Sequence, residues 1–168
     1  MCAGKTSAGR QFAHALGWPF VDSDLRIERE NGKKIYALVK ELGLRRFRAI
    51  EAALVREVAE GRGQVVALGG GVYPSRRWEG LLKRTGIVVF LYCPWPEIKK
   101  RLKAARGPRP LLKGPWEKAG PRAKRLYSAR LPFYRRADIV INTTGLLPEG
   151  TAAAIKEAIF KNGKSGQK

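Results

Sequence analysis

Four short runs rich in Val and Ile recur along this chain: Pro19 to Val21, Val65 to Leu68, Ile87 to Tyr92 and Ile139 to Ile141. Longer amphipathic stretches separate them, and no other feature restricts the fold so strongly. Runs this short and apolar read as strands buried on both faces. Strands separated by helices cannot pair as hairpins, so the pattern calls for crossovers and a parallel sheet covered by helices on both sides. The intervening helices are expected at Lys5 to Leu16, ended by Gly17, and at Leu25 to Glu30. Further ones fall at Arg45 to Glu60, Ser75 to Lys83 with a capping serine, and Pro94 to Lys103, opened by a proline tolerated in a first turn. A last helix, Pro148 to Lys161, precedes a polar tail at 162–168. The length of 168 residues suits one domain over 1–168, large enough to bury a core.

Composition enters through what it excludes. A hydrophobic share of 44% argues against disorder. No apolar run reaches the roughly 18 to 20 residues that span a bilayer, and no secretory leader opens the chain, so the expectation is a soluble, cytoplasmic protein without a membrane partner. Cys2 and Cys93 stand far apart outside any CxxC or Cys/His pattern, which removes a disulfide framework and a zinc site. Charge is the more informative quantity: 34 Lys and Arg against 14 Asp and Glu give +20. Between Lys99 and Arg136 there are 14 basic residues and one acid, Glu117, so that segment carries +13. Three readings fit it: a solvated basic face, a nucleic-acid patch, or a lid over a small polyanion. Gly and Pro concentrate from Gly107 to Pro121, a composition that resists regular structure and suits a mobile lid at about 104–122.

Candidate chemistry lies at the ends of the expected elements. Ala3-Gly4-Lys5-Thr6-Ser7 leads straight into a helix, the arrangement of the second half of a phosphate-binding loop. There, backbone amides and the helix dipole hold phosphates, Lys5 reaches the β and γ oxygens, and the Thr6 hydroxyl ligates Mg2+. The bland alternative is a basic N-terminus with a helix cap. Asp22 and Asp24, one residue apart at a strand end, point to the same side, where one can serve a magnesium shell and the other a substrate hydroxyl. Alternatively, the pair simply caps the next helix. Arg48 and Glu51 are three apart on a helix and read equally well as a surface ion pair. Gly69-Gly70-Gly71 follows a strand and is either a flexible turn or a place where backbone presses on a ligand. Arg109-Pro110-Leu111-Leu112 and Arg130-Leu131-Pro132-Phe133-Tyr134 are, taken singly, a basic loop and a helix end. His14 reads as structural, and Trp18, Trp78, Trp95 and Trp116 as packing residues.

Taken in order, these segments resemble the shikimate kinase family over nearly the whole chain. The resemblance implies a three-layer α/β/α P-loop kinase fold with a central parallel sheet, five strands when complete, and a mobile lid. It implies transfer of the γ-phosphate of ATP, with Mg2+, to the 3-hydroxyl of shikimate in the chorismate route to aromatic amino acids. By residue, it makes Lys5, Asp24 and Arg109 catalytic, with Asp24 as the base and Arg109 as the lid arginine that reaches the transferring phosphate. Nucleotide contacts fall on Ala3, Gly4, Lys5, Thr6, Ser7, Arg101 and Arg109, with Arg101 at the adenine. Substrate contacts fall on Asp24, Arg48, Gly69, Gly70, Gly71 and Arg130, the two arginines holding the carboxylate. Metal contacts fall on Thr6 and Asp22. Shikimate and ATP are the implied partners of a monomer; nucleic acid is not required, although the charge is compatible with weak polyanion binding.

The resemblance also sets the first glycine of the phosphate loop two positions before Met1, so the sequence begins inside the motif and reads as N-terminally truncated. On that reading a central strand is missing and this form is expected to fold poorly. Two rivals remain open: another small-molecule P-loop kinase, such as a gluconate kinase, and a non-catalytic, basic, nucleic-acid-binding descendant.

Overall fold

The computed structural model describes residues 2–73, 76–104 and 114–164. Eleven elements follow one another: α1 (Lys5–Leu16), β1 (Phe20–Asp22), α2 (Ser23–Asn31), α3 (Ile35–Glu60), β2 (Val65–Ala67), α4 (Arg76–Thr85), β3 (Val89–Tyr92), α5 (Trp95–Ala104), α6 (Trp116–Tyr134), β4 (Ile139–Asn142) and α7 (Pro148–Lys164). The strands pair in parallel, β1 with β2 (Phe20 opposite Val65) and β3 with β4 (Val89 opposite Ile139). Each pair is joined by helical crossovers, as parallel strands require. The described residues thus carry the four strands read from the sequence, arranged in two parallel pairs.

The period-two alternation of strand side chains builds the three layers. Val65 of β2 and Val89 of β3 both face a cluster formed by Ala8 and Phe12 of α1 and Ala152 and Ile155 of α7. Val21 and Val66 turn the other way, onto Ile27 of α2 and Leu38, Phe47, Leu54 and Val58 of α3. On the second pair, Phe90 turns away from α1 to stack at 5.2 Å on Tyr134 of α6. Each pair is therefore sandwiched, and the short runs read from sequence are buried on both faces for this reason.

Three expectations are corrected. The third helix begins at Ile35, ten residues before the expected Arg45, and bends at Gly43, whose φ of 76° and ψ of 160° interrupt it without ending it. The expected lid at 104–122 is helical from Trp116 onward. Pro115 starts that helix, Ala119, Gly120 and Ala123 bury its inner face, and Pro121 costs it one backbone hydrogen bond. Lid residues 105–113 lie outside the described residues. The final helix runs to Lys164, three residues into the expected tail. Of the tryptophans, Trp78 is buried and Trp95 packs on Tyr127 at 5.6 Å, but Trp18 is exposed. Among the described residues no helix is long and apolar enough to cross a membrane.

Candidate active site

The site forms where α1 begins and where β1 and β2 end. Gly4 stands at the N-cap of α1 with φ 82°, a left-handed conformation that costs glycine nothing, and no side chain caps the helix. The first amides and the positive end of the dipole form a ready anion site, with Lys5 at its rim. Ala3 is packed beneath it against two apolar clusters, and Ser7 is exposed on the first turn. The Thr6 hydroxyl donates to Asp22 Oδ2 at 2.6 Å. Asp22 Oδ1 accepts the backbone amides of Asp24 (3.0 Å) and Leu25 (3.2 Å), which caps α2. Asp22 therefore caps α2, as one reading of the sequence allowed, and also accepts from the Thr6 hydroxyl. Two adjacent hard oxygens, Thr6 Oγ1 and Asp22 Oδ2, fit Mg2+, which takes one or two protein ligands and completes its shell with phosphate and water.

The chain turns helical at Ser23, so strand alternation does not align the two aspartates as expected. Asp24 reaches the site from the first turn of α2. Its carboxyl is held above the ordinary carboxylate range, chiefly by burial and then by the neighbouring Asp22, with Lys5 opposing. Glu51 and Glu28 add smaller pushes in the same direction.

Three consecutive glycines after β2 organise the rest. The Gly69 amide donates to the buried Ser23 hydroxyl at 2.8 Å, which pins the turn to α2. Each glycine lacks a side chain where a functional group passes. A Cβ on Gly69 would collide with Asp24 Oδ1; one on Gly70 would lie 3.3 Å from Arg130 Nη1; one on Gly71 would lie 2.6 Å from Arg48 Nη1. The triplet is a platform across which Asp24, Arg130 and Arg48 converge in that order. Arg48 is anchored by Glu51, which is only 8% exposed, so this is not the surface ion pair that spacing alone allowed. The Tyr134 hydroxyl donates to Gly70 O at 2.6 Å. Burial pushes that phenol up, opposed by the charge and hydrogen bond of Arg130. A chain from Arg130 through Tyr134 to Gly70 results.

Arg101 stands on α5, its Nε on Glu97 at 2.9 Å and its Nη1 on the Cys2 carbonyl at 3.4 Å, beside the entry to the phosphate loop. Arg109 lies outside the described residues. Ser23 and Tyr134 were not singled out as site residues from sequence. Their signals were available: Ser23 separates the two aspartates, and Tyr134 falls four residues after Arg130 on the same helical face.

A family model described as shikimate kinase matches residues 1–160. A shikimate kinase of Thermodesulfovibrio yellowstonii is 37% identical over 98% of this chain and 95% of its own length, and one of Halorhodospira halophila is 39% identical over 95% and 89%. The solved structure of shikimate kinase from Acinetobacter baumannii in complex with shikimate superposes with a TM-score of 0.86 at 34% identity, covering 95% of this chain and 88% of that one. That of shikimate kinase from Bacteroides thetaiotaomicron gives 0.87 at 32%, covering 95% and 93%. With its family motifs gathered around one glycine platform and matched over almost its full length, the chain belongs to the shikimate kinase family.

Proposed function

We propose that this chain transfers the γ-phosphate of ATP to the 3-hydroxyl of shikimate, giving shikimate 3-phosphate and ADP in the route to chorismate. The observation that carries the reading is the convergence of one carboxylate and two arginines on Gly69-Gly70-Gly71, next to a bare helix N-terminus. Shikimate has a carboxylate at one end and hydroxyls at the other, which is the polarity of the platform. Arg48 and Arg130 take the carboxylate in charge-assisted hydrogen bonds. Asp24, held by α2, faces the hydroxyl and accepts its proton as the bond to phosphorus forms, and its raised pKa strengthens it as a base. The amides of α1 and Lys5 hold the transferring phosphates; Thr6 and Asp22 would hold Mg2+, which would supply charge neutralisation at the phosphates when bound. Arg101 supports the adenine end through its place beside Cys2, and Arg109 serves the transferring phosphate from the lid. All these groups belong to one chain, so a monomer suffices for the reaction.

The test is a coupled ADP-release assay with Mg-ATP and a panel of shikimate, quinate and gluconate, with 31P NMR of the product. Turnover confined to shikimate, with a new phosphomonoester resonance, is the expected result. Preference for gluconate, or no transfer to any acid, overturns the assignment.

A further inference from the structure

Four arginines line a second cavity, of about 540 Å3, between the C-terminal part of α3 and the length of α4: Arg56, Arg62, Arg77 and Arg84. It is separate from the catalytic platform. The glycine triplet follows the C-terminal end of β2, whereas Arg62 precedes the N-terminal end of β2 and Arg84 lies just before β3. Arg56 is eight residues beyond Arg48, about 12 Å along the same helix. The lining holds a single acid, Glu60, so four cations against one anion leave +3. Among the described residues none of the four arginines is held in an ion pair; nearby Glu57 is engaged by Arg26.

The carbonyl ends of α3 and α4 attract Arg62 and Arg84, but Arg77 stands in the first turn of α4, where the dipole disfavours a cation. The dipoles do not account for the concave arrangement of this charge, nor for the ordering of two of its members. Trp78 forms the floor, only 8% exposed, and carries Arg77 at 4.8 Å and Arg56 at 5.7 Å from its ring centre. Guanidinium groups held on an aromatic floor lose little freedom on meeting an anion, which favours binding. Trp78 is itself buried, so it offers little ring surface on which a nucleobase could stack. The volume is that of a small-molecule site.

We propose that this groove binds a small linear oligophosphate, recognised through its phosphates alone. A free inorganic chain and the triphosphate of a nucleotide share that chemistry, and both serve as probes.

The test is calorimetric titration of the full chain with inorganic tripolyphosphate and, separately, with ATP. Three proteins are compared: wild type, the pair Arg62→Gln with Arg84→Gln, and the pair Lys40→Gln with Lys156→Gln. The second pair removes the same charge from exposed lysines elsewhere. Neither arginine stacks on Trp78, and melting curves check that all three fold alike. The arginine pair is expected to lose one equivalent of tripolyphosphate, or to bind it about tenfold more weakly per arginine removed, with shikimate phosphorylation unchanged. The lysine pair is expected to bind as wild type does. Losses of similar size with ATP and with tripolyphosphate are expected of recognition through phosphates alone, and a loss confined to ATP overturns it. Equal loss in both pairs, no loss in the arginine pair, or a groove-dependent response to single-stranded RNA without one to tripolyphosphate overturns the proposal.

Discussion

Adding one methyl group at Gly71 isolates the role given to Arg48. The backbone of Gly71 is not left-handed, so alanine fits it without strain. Its Cβ, however, would stand 2.6 Å from Arg48 Nη1, 2.9 Å from Nη2 and 3.1 Å from Cζ. Ordinary contact begins near 3.4 Å, so the guanidinium must retreat by about 0.8 Å. Its anchor, Glu51, is buried and cannot follow freely. A bidentate grip on a carboxylate does not survive such a shift, and losing one of two charge-assisted hydrogen bonds costs about 1.5 to 3 kcal/mol. That corresponds to a rise of roughly 10- to 150-fold in the KM for shikimate. On the proposed reading the phosphates of ATP meet α1, so the KM for ATP should stay within about twofold. The atoms displaced belong to the end of a flexible side chain, so the melting temperature should barely move. Steady-state titration of each substrate in the coupled assay reads both constants. A Gly71→Ala enzyme with unchanged shikimate KM, or with both constants raised equally, would falsify the place of Arg48 in the carboxylate clamp.

The neighbouring change, Gly69→Ala, pushes on Asp24 and should lower kcat far more than it raises either KM, as steady-state kinetics will read. Asp24→Asn should abolish turnover while shikimate still binds by calorimetry; an active variant removes Asp24 from the base role. Because the folded-state pKa of Asp24 is raised, the folded protein binds its proton more tightly than the unfolded chain, so this group opposes folding above its folded pKa and ceases to do so as pH falls through it. Asp24→Asn should therefore melt higher than wild type at neutral pH, with the gap closing as pH falls through the raised folded-state pKa. Lys5→Met removes the one cation lowering that pKa and should move the acidic limb of residual kcat/KM to higher pH. Ser23→Ala strands the buried Gly69 amide and should cost about 1 to 3 kcal/mol by urea unfolding.

The parallel α/β pattern was legible because its signal is local: Val65 and Val66 must face opposite apolar layers, and the sequence shows two valines in a row where a half-exposed strand would alternate. α1 was read to the residue because Gly4 and Gly17, both left-handed, bound it. Elsewhere glycine and proline misled. Gly43 looks like a stop, yet the segments on both sides of it bury Leu38 and Phe47 in the same cluster, and that packing holds the helix together through a bend. Gly120 and Pro121 look like loop, yet Ala119, Gly120 and Ala123 face the core, and burial outweighs one lost hydrogen bond. In the site, residue types were readable but not their order along the platform. Which glycine meets which side chain depends on how α2, α3 and α6 approach one turn, and no spacing in sequence encodes that approach.

That order gives the site its direction. Along the triplet, Gly69 meets Asp24, Gly70 meets Arg130 and Gly71 meets Arg48, so negative and positive charge stand at opposite ends of one short turn. Asp24 is already crowded by Asp22, Glu51 and Glu28, with Lys5 as its cationic neighbour. A ligand that entered reversed would bring its carboxylate against Asp24, and two such charges about 4 Å apart repel by roughly 4 kcal/mol at the effective dielectric of a partly buried site. In the proposed orientation that repulsion becomes attraction at Arg48 and Arg130, and a hydroxyl is left facing Asp24. Binding and orientation therefore come from the same charges. An acid lacking a hydroxyl at the far end should still bind, as an inhibitor, whereas shikimate converted to its methyl ester should lose both affinity and regiochemistry.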